Sequence, residues 1–165
     1  LLILISERPE RLIPTIRSRC QKIPFKTLKS DDIKKIFSKI QSTQKIDLSI
    51  GIDQKELFML SNGSPGALIE NINTWKEFPD KLLSRMQKLP KQSIDTLALA
   101  KDLTETIDGE QQIWLISWLE INLWSKSHNS KAIKILENLH SQLISFVQPR
   151  LAWEIALLKL SKLNN

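Results

Sequence analysis

Apolar residues are spaced in two different ways along this chain. The first five, LLILI, form an unbroken run, which predicts a short strand buried on both faces, as inside a parallel sheet. SERP, residues 6–9, reads as a turn, residues 10–13 as a helical turn before Pro14, and Lys22 to Phe25 as a second short strand. From residue 30 onward the spacing becomes helical. Ser30 is expected to cap a helix with Asp31 and Asp32 in its first turn and Ile33, Ile36, Phe37 and Ile40 on its apolar stripe. After a polar stretch, 41–51, a second helix over 53–61 turns Leu57, Phe58 and Leu60 inward. In SNGSPGALIENI, Gly63 ends that helix, Ser64 caps a third and Pro65 takes its first position, where a missing N–H costs nothing.

Longer helices follow. Lys76 to Gln87 and Lys91 to Leu103 are separated by Pro90. Gly109 to Lys126 carries Ile113, Trp114, Leu115, Trp118, Ile121 and Trp124. Lys131 to Val147 carries Ile135, Leu136, Leu139, Leu143 and Ile144, and Pro149 opens a last helix to about Lys162. The tryptophans read as core anchors. Trp114, Trp118, Leu139, Leu143 and Leu151 are expected to bury most of this part, with some apolar surface left for neighbours. The pattern therefore divides into residues 1–26, the end of an α/β domain; 27–75, a three-helix bundle; and 76–165, an all-α domain. The class is mainly α. A strand such as LLILI needs partners on both sides, so most of its domain is expected upstream and the chain reads as the C-terminal part of a larger protein. Without those partners residues 1–26 are expected to fray, and 27–165 to be stable.

Composition changes this picture in one respect. The 165 residues carry a net charge of +6, and residues 1–30 alone hold seven basic and two acidic groups, a balance of +5. A phosphate-bearing partner and a solvated basic face both account for that excess. One cysteine excludes an internal disulfide or a cysteine cluster for zinc, and Cys20 reads as a small buried apolar residue. His128 and His140 lie on separate helical patterns with no spacing for a metal site, so no metal is expected. No segment is long and apolar enough to span a bilayer, and LLILI is too short for a signal-peptide core. The cysteine count fits a cytoplasmic protein. The segment PTIRSRCQKIPF places Arg17 and Arg19 between apolar stretches, where they either face solvent, pair with Glu7 and Glu10, or serve a ligand.

Three segments, in order, carry a resemblance: LLILISERPERLIPTIRSRC, GSPGAL and FVQPRLAWEIALLKL. Together they resemble the clamp-loader subunits of the AAA+ family, and within it the delta-prime type of bacterial DNA polymerase III. The resemblance implies a C-terminal piece with the end of an AAA+ α/β domain, a three-helix lid and a helical collar that joins the subunits. It implies that Ser18-Arg19-Cys20 presents Arg19 as an arginine finger in trans, aimed at ATP held with magnesium by a neighbouring subunit. Cys20 would pack behind the motif, Pro14 would fix its approach, and Arg17 is a possible phosphate contact. Ser6 and Glu7 fall in the sensor 1 region, where the ATPases have adjacent threonines. Gly66 falls at the sensor 2 position, where active ATPases carry arginine. That departure implies a delta-prime-like subunit with no activity or cofactor of its own in this chain, within a polymerase holoenzyme that loads the sliding clamp on primed DNA. Its implied partners are the gamma/tau and delta subunits, the clamp, and DNA through the assembly, with no membrane. The alternatives are an ATP-hydrolysing gamma/tau-like subunit and a helical nucleic-acid-binding module.

Overall fold

A computed structural model describes residues 2–6, 8–44, 52–90, 92–145 and 147–163. Among them the chain forms a 3-10 turn at Pro9–Arg11 and helices α1 (Pro14–Arg17), α2 (Ser30–Gln44), α3 (Gln54–Ser61), α4 (Pro65–Glu77), α5 (Asp80–Gln87), α6 (Ser93–Thr106), α7 (Gly109–Ser127), α8 (Ser130–Ile144) and α9 (Pro149–Leu163). No strand occurs among the described residues.

Two apolar cores organise the helices. The smaller joins α2, α3 and α4 through Ile33, Phe37, Leu57, Leu68 and Ile72. Phe37 meets Phe58 edge to face, with ring centroids 5.4 Å apart. The larger begins at Trp75, in the last turns of α4, and draws on every later helix, with Trp118 and Trp153 fully buried. Within it α6 packs on α9, α7 on α8, and α8 on α9, while α3 packs on α7 and so joins the two cores.

Local chemistry sets the helix ends. The Asp53 side chain accepts from the Lys55 N–H, and that of Ser64 accepts from the Ala67 N–H with Pro65 next in line. Asp108 and Gln111 make a reciprocal capping box on α7. Asn62 and Gly63, with φ of 44° and 75°, close α3 in the left-handed region. Several boundaries shift by a few residues from the sequence expectation, α6 running over Ser93–Thr106 and α8 over Ser130–Ile144, and two of the shifts have a plain local cause. Ser30 is the first residue of α2 rather than its cap, because the Ile33 N–H already bonds the Lys29 carbonyl. The helix expected from Lys76 breaks at Phe78, which is extended ahead of Pro79, so Lys76 falls in the last turn of α4 and α5 starts at Asp80.

The two strands expected at 1–5 and 22–25 are a correction. Residues 2–5 and 22–25 have no regular structure and are exposed, Ile5 at 97% and Phe25 at 95%. No described segment lies alongside to complete a ladder, and without one an apolar run has neither hydrogen-bond partners nor a face to bury. No described residue before Ile33 is buried. The expected burial is also corrected on the larger bundle: Trp118 and Leu139 are buried, Trp114 and Leu143 half-buried, and Leu151 is 48% exposed at the start of α9.

Candidate functional site

The turn that bears the two arginines is built by Pro14. Proline at the first helical position fixes φ for one helical turn, and the Ser18 N–H closes it on the Pro14 carbonyl at 2.9 Å. The Ser18 hydroxyl donates back to the Thr15 carbonyl at 3.2 Å. The N–H groups of Arg19 and Cys20 bond the carbonyls of Ile16 and Arg17, so the chain stays tightly wound past the helix end. Arg17 and Arg19 are both exposed, and no described carboxylate lies within ion-pair distance of either. Glu10 is exposed and makes no ion pair among the described residues; Glu7 lies outside them. Cys20 is exposed, which corrects the expectation of a buried residue packed behind the motif. The turn has no core beneath it for a thiol to enter.

The other expected positions sit apart from this turn. The Ser6 hydroxyl accepts from the Arg8 N–H at 3.2 Å, a purely local contact. Gly66 is in the first turn of α4, and a Cβ built there would meet only the Ser64 hydroxyl at 3.8 Å. Packing around a Cβ therefore does not demand a glycine at this position. The arginine-bearing segment reaches this neighbourhood through one bond, from the Leu28 N–H to the Gly63 carbonyl at 2.9 Å. A Cβ on Gly63 would come within 2.7 Å of the Leu28 carbonyl oxygen and 2.8 Å of Thr27 Cβ. Gly63 thus allows the segment to lie against the α3–α4 turn, three residues before Gly66.

A buried polar junction between the two cores was not anticipated from the sequence. Glu56 of α3 accepts from Trp118 Nε1 at 2.9 Å and from Asn122 Nδ2 at 2.7 Å, both on α7. Similar pairs hold Trp114 to Asn71 and Trp153 to Gln112, at 2.7 and 2.9 Å. The signal was present: several indoles in an all-helical core each need an acceptor, and Glu56 lies one turn from Leu60 beside the apolar face of α3. Farther along α7, burial pushes the Glu120 carboxyl above its ordinary range; Glu137 adds to the rise and His140 opposes it.

Among the described residues no group of three His, Cys, Asp or Glu side chains is placed to hold a metal ion, and no helix is long and apolar enough to cross a membrane. Residues 31–160 match the family model described as the cyanobacterial DNA polymerase III delta prime C-terminal domain. The matched span includes Gly66, Glu56 and the larger bundle up to residue 160 in α9, and begins after the arginine-bearing turn. No curated protein and no solved structure matches the chain.

Proposed function

The chain belongs to the family of cyanobacterial DNA polymerase III delta prime C-terminal domains, and on that premise we propose that it serves a clamp loader as an assembling and activating subunit rather than as an ATPase. The bundle of α5–α9 forms its share of the collar. Ile94 and Leu97 on α6 and Leu151 and Ile155 on α9 are exposed apolar residues of the kind that neighbouring gamma/tau and delta subunits would cover. Arg19 enters the ATP site of an adjacent subunit when the assembly closes on the sliding clamp and primed DNA.

The observation that carries this reading is the exposed turn at Arg19, which ends in a guanidinium with no ion-pair partner among the described residues. Such a group is permanently charged, and its fork of N–H donors matches phosphate oxygens. Supplied in trans, an arginine stabilises charge on a transferring phosphoryl group by roughly 10³–10⁵ in rate. ATP and its magnesium belong to the neighbour's site and supply the phosphoryl chemistry there; this chain contributes the cation and makes turnover depend on assembly. Gly66 supports the division of labour, because it offers no side chain to a phosphate although packing leaves room for a Cβ there.

Cys20 is the sole cysteine of the 165 residues and is exposed beside Arg19, which gives a direct test once any cysteine outside them is replaced. A photoactivatable cross-linker on Cys20, in a full-length subunit reconstituted with its partners, is expected to attach to a neighbouring ATPase subunit next to its nucleotide. Cross-linking should change when a non-hydrolysable ATP analogue is added. Attachment only within the same chain, in a fully formed assembly, would contradict the proposal.

A further inference from the structure

One end of the larger bundle has a charge distribution that the reading above does not use. Lys131 and Lys134 of α8 form one wall of a shallow cleft, and Lys159 and Lys162 of α9 form the other; Ile135 and Leu163 lie between them. All four lysines are exposed, and none has a carboxylate within ion-pair distance among the described residues. The sequence reinforces this. Residues 121–136 and 155–165 hold five lysines, Lys126 included, and no Asp or Glu. At the other end of the bundle Asp108 and Glu110 line a separate cleft beside Pro149.

Two further observations point to a ligand. Lys131 sits in the first turn of α8, which has no acidic residue, so its charge opposes the helix macrodipole. A cation placed there for stability would belong at the other end of the helix. Trp124, in the last turn of α7 and so at the same end of the bundle, is 48% exposed, with its ring 5.2 Å from that of His128. The indole N–H groups of Trp114, Trp118 and Trp153 all have protein acceptors, whereas that of Trp124 has none among the described residues.

We propose that this end of the bundle binds single-stranded nucleic acid, with the lysines of α8 and α9 on backbone phosphates and Trp124 as a stacking platform for a base. Lysines are point charges without arginine's planar fork, so the contacts are to phosphate and independent of sequence. An exposed indole at the same end of the bundle adds a sequence-tolerant base contact, as in single-strand binding grooves generally. An acidic protein segment would satisfy the lysines but would leave Trp124 without a role. The surface is distinct from the arginine-bearing turn, and the proposal does not depend on the function assigned to Arg19.

The test uses the 165-residue chain and a fluorescein-labelled oligo-dT, followed by anisotropy across a salt series. The unaltered chain is expected to bind more weakly as salt rises. Lys134→Ala/Lys159→Ala should weaken binding and lower the slope of log K against log salt by about 0.7 for each lysine removed. Trp124→Leu should weaken binding with that slope unchanged. Lys131→Glu should weaken binding while raising Tm, a pairing that a lysine kept for stability would not give. Unchanged affinity and slope in the double-lysine variant, with binding lost instead in Arg17→Ala/Arg19→Ala, would overturn the proposal. So would tighter binding of a labelled Glu-rich peptide than of oligo-dT with Trp124→Leu silent toward both, which would assign the cleft to an acidic protein segment.

Discussion

Gly63 and Gly66 lie three residues apart and respond to opposite constraints. Gly63 has φ of 75° and backs onto the Leu28 carbonyl, so a side chain there is both strained and crowded. Gly66 is an ordinary helical residue with open space around it. Gly63→Ala is therefore expected to destabilise the fold by about 2 kcal/mol. Gly66→Ala should stabilise it by about 0.4–1 kcal/mol, through the lower entropy of the unfolded chain. Urea unfolding of the two variants checks both signs in one experiment. The sequence already indicated a helix stop at Gly63, but not that the arginine-bearing segment docks there, because that contact joins residues far apart in the chain. Cys20 was misread for a related reason: a cysteine usually packs inward, and nothing local shows that no core lies beneath it.

Glu120 makes a pH-dependent contribution at the same scale. Its carboxyl is raised in the fold, first by burial and then by Glu137. The folded state therefore holds a proton that the unfolded state has already released. The resulting stabilisation is fully present below the ordinary glutamate range and is lost as pH rises through the raised value. Glu120→Gln should flatten this part of the stability–pH profile and make the protein more stable than the unaltered chain at neutral pH. Thermal unfolding across mildly acidic to neutral pH would show it, and parallel profiles for the two proteins would count against the assignment.

Among the elements, the helices were legible where short-range chemistry decides them. Asp53, Ser64–Pro65 and Pro149 mark starts that depend only on neighbouring residues. The strands at 1–5 and 22–25 were not, because a strand is a pairing, and its apolar residues cannot state whether a partner is present. The junction of α3 with α7 was equally hidden. Glu56 looks like a surface residue of an amphipathic helix until α7 brings Trp118 and Asn122 to it. Glu56→Ala would leave two buried donors without an acceptor and is expected to cost roughly 3 kcal/mol. Glu56→Gln, which keeps one amide oxygen as acceptor, should lose less. A matching loss in Trp118→Phe, and a double variant less destabilised than the sum of the singles, would show that the two act as a pair.

For the whole molecule, net charge misled in an informative way. Residues 31–165 sum almost to zero, yet four lysines of the larger bundle line one cleft while Asp108 and Glu110 line another. A sum along the chain cannot report a separation in space. The arginine-bearing segment joins the smaller bundle through the bond from Leu28 to Gly63, and the exposed apolar residues of α6 and α9 belong to the larger one. That arrangement suits a subunit whose contribution is made to its neighbours. The most direct check is ATP turnover by a reconstituted clamp loader, stimulated by clamp and primed DNA, containing this subunit in full-length form as unaltered protein, Arg19→Ala or Arg17→Ala. Assembly would be verified by size-exclusion. A loss of turnover on the order of 10³-fold at the affected site with Arg19→Ala is predicted, with a smaller effect of Arg17→Ala and assembly intact in both. Full turnover by an intact assembly carrying Arg19→Ala would contradict the account.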